Sequence, residues 1–226
     1  MTEDSWYFDF CTPDGVLAGY ARLAVRPEAR AAWWWCAVVG EDVPFVLVKD
    51  LEVDRPRGRS LEIRSSGLWA EATCEIPGEH WSLGLESFGV CLDDPTEAYG
   101  AERGDVIALG FDLEWTAEGP PLEPPPGGAQ PCLVDGDVLV GRRRWTIEAR
   151  GLWQFESAER DWATAEWSWR GGRAVEPLPL DDRGLLSSAR YHAPLAVGGS
   201  RLARALTPDL VWAERLQPAS STLGLG

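Results

Sequence analysis

Residues 68–91 read LWAEATCEIPGEHWSLGLESFGVC, and this stretch decides the fold. Apolar and polar side chains alternate over residues 68–76 and again over residues 80–91, which is the period of a half-buried β-strand. Pro77 and Gly78 interrupt the alternation, because proline lacks the backbone donor that a sheet needs and glycine favours turns. The stretch therefore predicts two antiparallel strands joined by a short turn.

Segments of the same kind recur about every ten residues, which is the spacing of an antiparallel meander and not of βαβ units. The pattern predicts an all-β protein, a barrel or a sandwich with few short helices. One short helix or loop is expected at 96–103. The other predicted strands are 5–10, 16–25, 31–39, 44–53, 61–64, 106–115, 138–149, 153–157, 162–170, 185–192 and 210–216.

A proline- and glycine-rich run, EGPPLEPPPGG at 118–128, separates two parts of the pattern. Such a run cannot form the interior of a strand or a helix. It predicts a linker over 119–130 between an N-terminal β half, 1–118, and a C-terminal β half, 131–226, with a frayed tail over 220–226.

The formal charge of −15 makes the chain strongly acidic. Such a field repels phosphate backbones and anionic membranes, so nucleic acid is not an expected partner. The first residues show no signal peptide, and no apolar run is long enough for a membrane span. The five cysteines are irregularly spaced and lack a Cys-x-x-Cys pair, so we expect no metal site but reduced thiols in a cytoplasmic protein.

The thirteen tryptophans are the most informative residues. In a strand, Trp33 and Trp35 share one face while Trp34 points to the other, and Trp167 shares a face with Trp169. They can be core residues, since each ring buries a large apolar area. The alternative is that they line an apolar pocket, because an indole N–H needs a polar partner and aromatic faces stabilise cations.

Several carboxylates lie on strands that also carry aromatic residues. Glu71 shares a strand face with Trp69, and burial among aromatic rings would raise the pKa of such an acid enough for it to donate a proton near neutral pH. The alternative is that these acids form the polar outer face of half-buried strands. No phosphate-binding loop and no nucleophile elbow is present, so no cofactor is expected. The acids considered are Glu71, Glu75, Glu86, Asp112, Glu114, Glu156 and Glu166.

Four stretches carry a resemblance to a known group: SWYFDF at 5–10, GYARL at 19–23, GLWAEATCE at 67–75 and GDVIALGFDLEW at 104–115. Together they resemble actinobacterial proteins related to the two-domain lipocalin-like group, which includes the carotenoid 1,2-hydratases. Fungal lipocalin-like Diels–Alderases look similar in architecture. The resemblance covers most of residues 5–170 and implies two lipocalin-like antiparallel β halves packed together.

Relatives of this kind carry the motif Gly-x-x-Asp-His-x-Trp-Gly-x-Arg-Asp-Trp in the second half. This chain matches it at Gly151 and at residues 160–162. It has Gln154, Phe155 and Ser157 where the motif has Asp, His and the first Trp. The resemblance therefore implies that water chemistry of the hydratase type is lost, with Glu156 as a possible replacement acid.

These observations lead to the hypothesis of a cofactor-independent cyclase, of the pericyclase or terpenoid type, that folds an apolar polyene or isoprenoid intermediate of natural-product biosynthesis. The enzyme would hold the substrate in its reactive shape, and this would lower the entropic part of the activation barrier. The alternatives are a non-catalytic binder or carrier of an apolar metabolite, and a carotenoid-hydratase-like enzyme. The predicted site has walls from Trp33, Trp35, Trp69, Trp167 and Trp169, and catalytic groups from Glu71, Glu156 and Tyr191.

Overall fold

The computed structural model describes residues 2–13, 17–25, 31–40, 42–57, 60–93, 102–120 and 129–159 of the chain. These residues form β-strands and the turns between them, so the prediction of an all-β protein is confirmed. The described part contains no helix that could cross a membrane. The predicted strands at 162–170, 185–192 and 210–216 lie outside the described residues, as does most of the predicted helix or loop at 96–103.

Ten strands follow one another along the described chain. They are β1 Thr2–Cys11, β2 Leu17–Val25, β3 Ala31–Gly40, β4 Val43–Asp54, β5 Leu61–Ser65, β6 Leu68–Ile76, β7 His80–Leu92, β8 Gly104–Ala117, β9 Ala129–Val140 and β10 Arg143–Glu159.

The strands form a single antiparallel sheet that closes on itself. Its order is β4-β3-β2-β1-β10-β9-β8-β7-β6-β5, and β4 also pairs with the last part of β7, where Val46 faces Cys91 and Leu47 faces Val90. Eight strands therefore form a ring, and the β5–β6 hairpin extends the sheet beside the first part of β7. The pairing of β4 with β7 covers one of the two edges that an open sheet of this order would have, and β5 remains an edge strand.

Aromatic side chains fill the interior of the ring. Phe8 lies 5.4 Å from Trp81 and 5.3 Å from Trp115, measured between ring centroids, and Phe10 lies 5.9 Å from Phe111. Trp34 belongs to the same buried cluster. For these three tryptophans, the interpretation as core residues is the one that the structure supports.

The two sides of the ring differ in how their outer faces are covered. Every residue of β2 is buried, so this strand has a covered outer face as well as a covered inner one. On β7 and β8, by contrast, buried and open positions alternate. The outer face of β6 to β9 is therefore the side on which the described structure presents side chains to solvent.

The predicted strand boundaries were wrong at two places in the second half. Residues 153–157 are not a separate strand but belong to β10, which runs without a break from Arg143 to Glu159. Residues 138–149 were expected to form one strand, but the chain reverses at Gly141 and Arg142, and β9 pairs with β10 across this turn. The proline- and glycine-rich segment connects β8 to β9, which also pair directly. Strands from both predicted halves thus belong to the same sheet, and the division into halves stays a prediction.

Candidate ligand-binding groove

Cross-strand pairing places four residues from four strands in one row on the outer face. Trp69 of β6 lies opposite Glu86 of β7, Glu86 lies opposite Gly110 of β8, and Gly110 lies opposite Leu139 of β9. Directly opposed side chains have Cβ atoms about 4.5–5.5 Å apart, so the members of such a row are neighbours. An aromatic ring, a carboxylate and an aliphatic chain are thus brought together by register alone.

The row crosses a surface cavity of about 600 Å³, which we call the groove. This volume lies within the range of small-molecule sites, about 300–1,000 Å³. The groove is lined chiefly by Arg64, Trp69, Glu86, Phe88, Gly110 and Leu139.

Small residues make the floor of the groove and large ones make its walls. The ring of Trp69 lies over Gly84, where an added Cβ would come within 2.9 Å of its Cη2 atom. Gly110 and Ala108 line the groove on β8, and the groove is deeper there because neither residue has a long side chain. Phe88 rises at one end and is 65% exposed. A large exposed aromatic side chain beside a cavity is typical of an interaction site.

The alternation of β7 explains why these residues face outward. Leu83 and Leu85 point into the buried core, so Gly84, Glu86 and Phe88 point to the opposite face. The same parity places Asp112 on the exposed face of β8, between the buried Phe111 and Leu113.

Polar contacts hold the Trp69 wall in place. Its indole Nε1 donates a hydrogen bond of 3.2 Å to Glu62 Oε1, and Arg64 Nε donates one of 2.7 Å to the same oxygen. Two hydrogen bonds lower the pKa of Glu62 below its ordinary value. The one from Arg64 has the larger effect, and the one from Trp69 has the smaller. The Glu62 carboxylate therefore remains an acceptor that fixes the orientation of the Trp69 ring.

Glu71, predicted as a catalytic acid, lies next to this groove. It is half-buried on β6, two residues from Trp69, and faces Gly84 across the strand pair. Its row continues through Asp112 and Asp137. The acid-catalysis hypothesis requires a carboxylate enclosed among aromatic rings, whereas Glu71 is only half-buried.

Asp137 is the most perturbed carboxylate on this face. Hydrogen bonds from Arg144 and Thr146 lower its pKa to about 2. Arg144 Nη2 donates to Oδ2, and Thr146 Oγ1 donates to Oδ1 at 2.6 Å. Both oxygens are thus occupied, so Asp137 serves as a structural acceptor and not as a proton donor.

The predicted walls Trp33 and Trp35 lie elsewhere, on the covered outer face of β3. Their ring centroids are 6.1 Å apart, which agrees with the predicted sharing of a face. The guanidinium of Arg22 lies 5.6 Å from the Trp35 ring centroid, and its Nε donates a hydrogen bond of 3.1 Å to Ser5 Oγ. Arg22 is only 3% exposed, so this cation is held between an aromatic face and a hydroxyl.

Further buried polar groups lie on β1, on the face away from Phe8 and Phe10. Tyr7 pairs with Arg22 in register and stacks on Tyr20 at 6.0 Å between ring centroids. Asp9 is 1% exposed, and its Oδ1 accepts a hydrogen bond of 3.0 Å from the backbone N–H of Leu152. Trp33 and Trp35 thus belong to a buried polar and aromatic cluster that is separate from the groove.

The remaining predicted site residues can be placed only in part. In the pairing of β1 with β10, Glu156 lies opposite Ser5, which is two residues before Tyr7 on β1. Trp167, Trp169 and Tyr191 lie outside the described residues. The structure therefore brings Trp69 next to Glu71, and Trp33 next to Trp35, but it does not bring these two pairs together.

All five cysteines are free. Burial raises the pKa of the Cys132 thiol to about 12 and also raises the pKa of Cys74 and Cys91. In the described part of the chain, no cluster of three or more His, Cys, Asp or Glu side chains could hold a metal ion.

Glu86 was one of the candidate acids in the sequence but not one of the predicted site residues, and neither Phe88 nor Leu139 was predicted. A signal for two of them was present, because Glu86 and Phe88 both fall on the polar face of β7, where a phenylalanine is out of place. Leu139 could be joined to them only through the register of β8 with β9.

Comparison with known proteins identifies a family for this chain but no individual relative. The family model described as a domain of unknown function, DUF7064, matches residues 1–176. No curated protein and no solved structure matches the chain significantly.

Proposed function

We propose that this chain, which belongs to the DUF7064 family, binds an apolar small molecule in the groove on the outer face of β6 to β9. The observation that carries the proposal is the cavity of about 600 Å³ with Trp69 and Phe88 as its aromatic walls. The function proposed is binding or carriage, because Glu86 in the groove lining is exposed to water and Glu71 beside it is only half-buried.

The shape of the groove specifies the kind of ligand. A floor of glycine and alanine under two aromatic walls accommodates a flat or extended apolar body. Contact with Trp69 on one side and Leu139 on the other would remove part of that body from water, which stabilises binding by about 25 cal/mol for each Å² buried. Since the groove opens to solvent, one end or edge of the ligand would stay hydrated.

Binding of a neutral apolar fluorophore such as N-phenylnaphthylamine tests this proposal. We expect saturable binding that Trp69→Ala weakens by about tenfold, the loss of roughly 1.4 kcal/mol of contact energy. Trp145→Ala is the matched control, because Trp145 is also a half-buried strand tryptophan but lies outside the groove. Equal affinity of the wild type and Trp69→Ala for the fluorophore would show that the groove is not the binding site.

The cyclase inferred from the sequence is the second candidate. The observation in its favour is the buried cluster in which Trp33 and Trp35 lie beside Arg22 and Tyr7. Such a cluster combines aromatic faces with hydrogen-bond donors that could stabilise developing charge. Incubation with a polyene or isoprenoid substrate would then give a product of equal mass, and Trp33→Ala would abolish its formation. Binding without a new product favours the carrier.

A further inference from the structure

Glu86 is the acidic residue in the lining of the groove. Glu86 and Trp69 are opposed in the β6–β7 register, and both line the cavity. Phe88, two residues further along β7, lies on the same face. An aromatic face next to a carboxylate is the arrangement that binds ammonium groups, because the ring quadrupole and the negative charge both attract a cation.

Glu86 forms no ion pair with any residue in the part of the chain that the structure describes. The cation nearest to it in the groove lining is Arg64, and Arg64 is engaged by Glu62 through Nε at 2.7 Å and Nη2 at 2.6 Å. The next guanidinium group on this face, that of Arg144, is bound by Asp137. Glu86 is therefore an available anion inside a cavity.

The surroundings of the groove reinforce its negative potential. Glu71, Asp112 and Asp137 form the neighbouring cross-strand row, with like charges directly opposed at the last two positions. Arg144 binds Asp137, so the carboxylates of this row that would attract a bound cation are Glu71 and Asp112. The net charge of −15 acts in the same direction.

We infer that the small molecule bound in the groove carries a cationic group, an amine or a quaternary ammonium, which lies on the Trp69 ring beside the Glu86 carboxylate. The inference rests on the proposed binding function and specifies the chemical class of the ligand. The apolar part of the ligand would extend across Gly110 towards Leu139, and the cation would occupy the Glu86 side.

A pair of isosteric probes tests the inference. Phenyltrimethylammonium and tert-butylbenzene have the same shape and differ only in the charge of the central atom. Their affinities are measured by the shift of the Trp69 indole N–H signal in NMR titrations of the full chain. We expect the cation to bind about tenfold more tightly than the neutral probe at low salt, and this ratio to fall as salt rises.

Two variants assign the preference to Glu86. Glu86→Gln keeps the size of the side chain and should bring the ratio close to one. Glu114→Gln is the control with the same change in net charge, because Glu114 is an exposed acid of β8 that pairs with His80 outside the groove lining. It should leave most of the preference intact.

Each contrary result has a distinct meaning. Equal binding of the two probes by the wild type would overturn the inference but leave the binding function standing. Failure of both probes and of N-phenylnaphthylamine to bind would overturn the proposed function itself. If the wild type is a dimer in sedimentation experiments and Phe88→Ser makes it a monomer, the groove face is a contact between two copies and the inference is also overturned.

Discussion

The ring of Trp69 lies over the backbone of Gly84 on the next strand, so close that a Cβ at Gly84 would approach Trp69 Cη2 to 2.9 Å. Real side chains do not tolerate such a distance, so the bare glycine is what lets the ring lie flat against the sheet. The hydrogen bond from Trp69 Nε1 to Glu62 fixes the ring in the same position. Together these two contacts shape the wall of the groove.

Gly84→Ala should therefore push the Trp69 ring away from the sheet and weaken binding of N-phenylnaphthylamine by about tenfold. Stability should change little, because the atom displaced is the far end of a side chain and not backbone. Fluorescence titration measures the affinity.

The double variant shows whether the effect passes through Trp69. In a Trp69→Ala background the added methyl group has no ring to displace, so Gly84→Ala should have no further effect on affinity. An equal loss of affinity in both backgrounds would mean that Gly84 acts in some other way.

Trp115 and Trp81 should differ in how much their polar atoms contribute to stability. Trp115 Nε1 donates a hydrogen bond of 2.9 Å to the backbone carbonyl of Asp9, whereas Trp81 Nε1 has no acceptor among the described residues. Replacement by Phe removes apolar area at both positions but a hydrogen bond only at Trp115. We expect Trp115→Phe to lower the free energy of unfolding by about 1 kcal/mol more than Trp81→Phe. Urea denaturation measures both, and equal losses would refute the difference.

Gly151 should be intolerant of any side chain. A Cβ there would lie 1.8 Å from the backbone oxygen of Asp9, across the pairing of β1 with β10. The neighbouring atom is backbone, so the strands themselves would have to separate. Gly151→Ala is expected to destabilise by about 3 kcal/mol or more, towards the upper end for overpacked sites. An unchanged thermal midpoint would show that β1 and β10 are not this close.

The pKa of Asp137 gives a prediction on pH dependence. Its folded pKa of about 2 lies below the ordinary value of 3.8, so the stabilisation from its hydrogen bonds is fully present above that ordinary value. It is lost as the pH falls from 3.8 to about 2. Arg144→Gln should raise the pKa of Asp137, as measured by carboxyl carbon NMR.

The control for that titration is Arg150→Gln, because Arg150 pairs with Glu118 at 3.1 Å and not with Asp137. It should leave the titration of Asp137 unchanged. If Arg144→Gln also leaves it unchanged, the hydrogen bond from Arg144 is not the cause of the lowered pKa.

The cysteines should react in the order of their burial. Cys74 and Cys91 are half-buried, whereas Cys11, Cys36 and Cys132 are buried. With iodoacetamide at pH 8, Cys74 and Cys91 should be modified first, and Cys132, whose pKa is raised to about 12, should react only after unfolding. Mass spectrometry of the native protein checks the order, with urea-denatured protein as the control. Early modification of Cys132 would contradict its burial.

The fold followed from alternation because period two is a local property of each strand. The prediction of residues 68–76 as a strand is confirmed to the residue. Alternation failed at 138–149, since Val138 to Val140 before the turn and the alternating residues 145–149 after it both have the pattern of a strand. At the turn itself, the backbone of Gly141 has a φ of +62°. The first part of β9 was hidden by Pro131 and by Gly136, two residues that usually oppose strand formation.

The candidate site was less accessible to sequence reasoning, because parity says which residues share a face but not which face is covered. Trp33 and Trp35 share a face as predicted, and that face is buried away from the groove. Trp69 lies on the open side. The groove joins residues from five strands, and only the register of those strands reveals that Glu86 and Leu139 belong to it.

The most direct test of the account is to locate a bound apolar ligand by NMR on the full chain with labelled tryptophan and phenylalanine. With N-phenylnaphthylamine added, the account predicts that the signals of Trp69 and Phe88 shift together, with one dissociation constant, and that those of Trp33 and Trp35 stay in place. Shifts at Trp33 and Trp35 with none at Trp69 would contradict it and would place the binding site in the buried cluster instead.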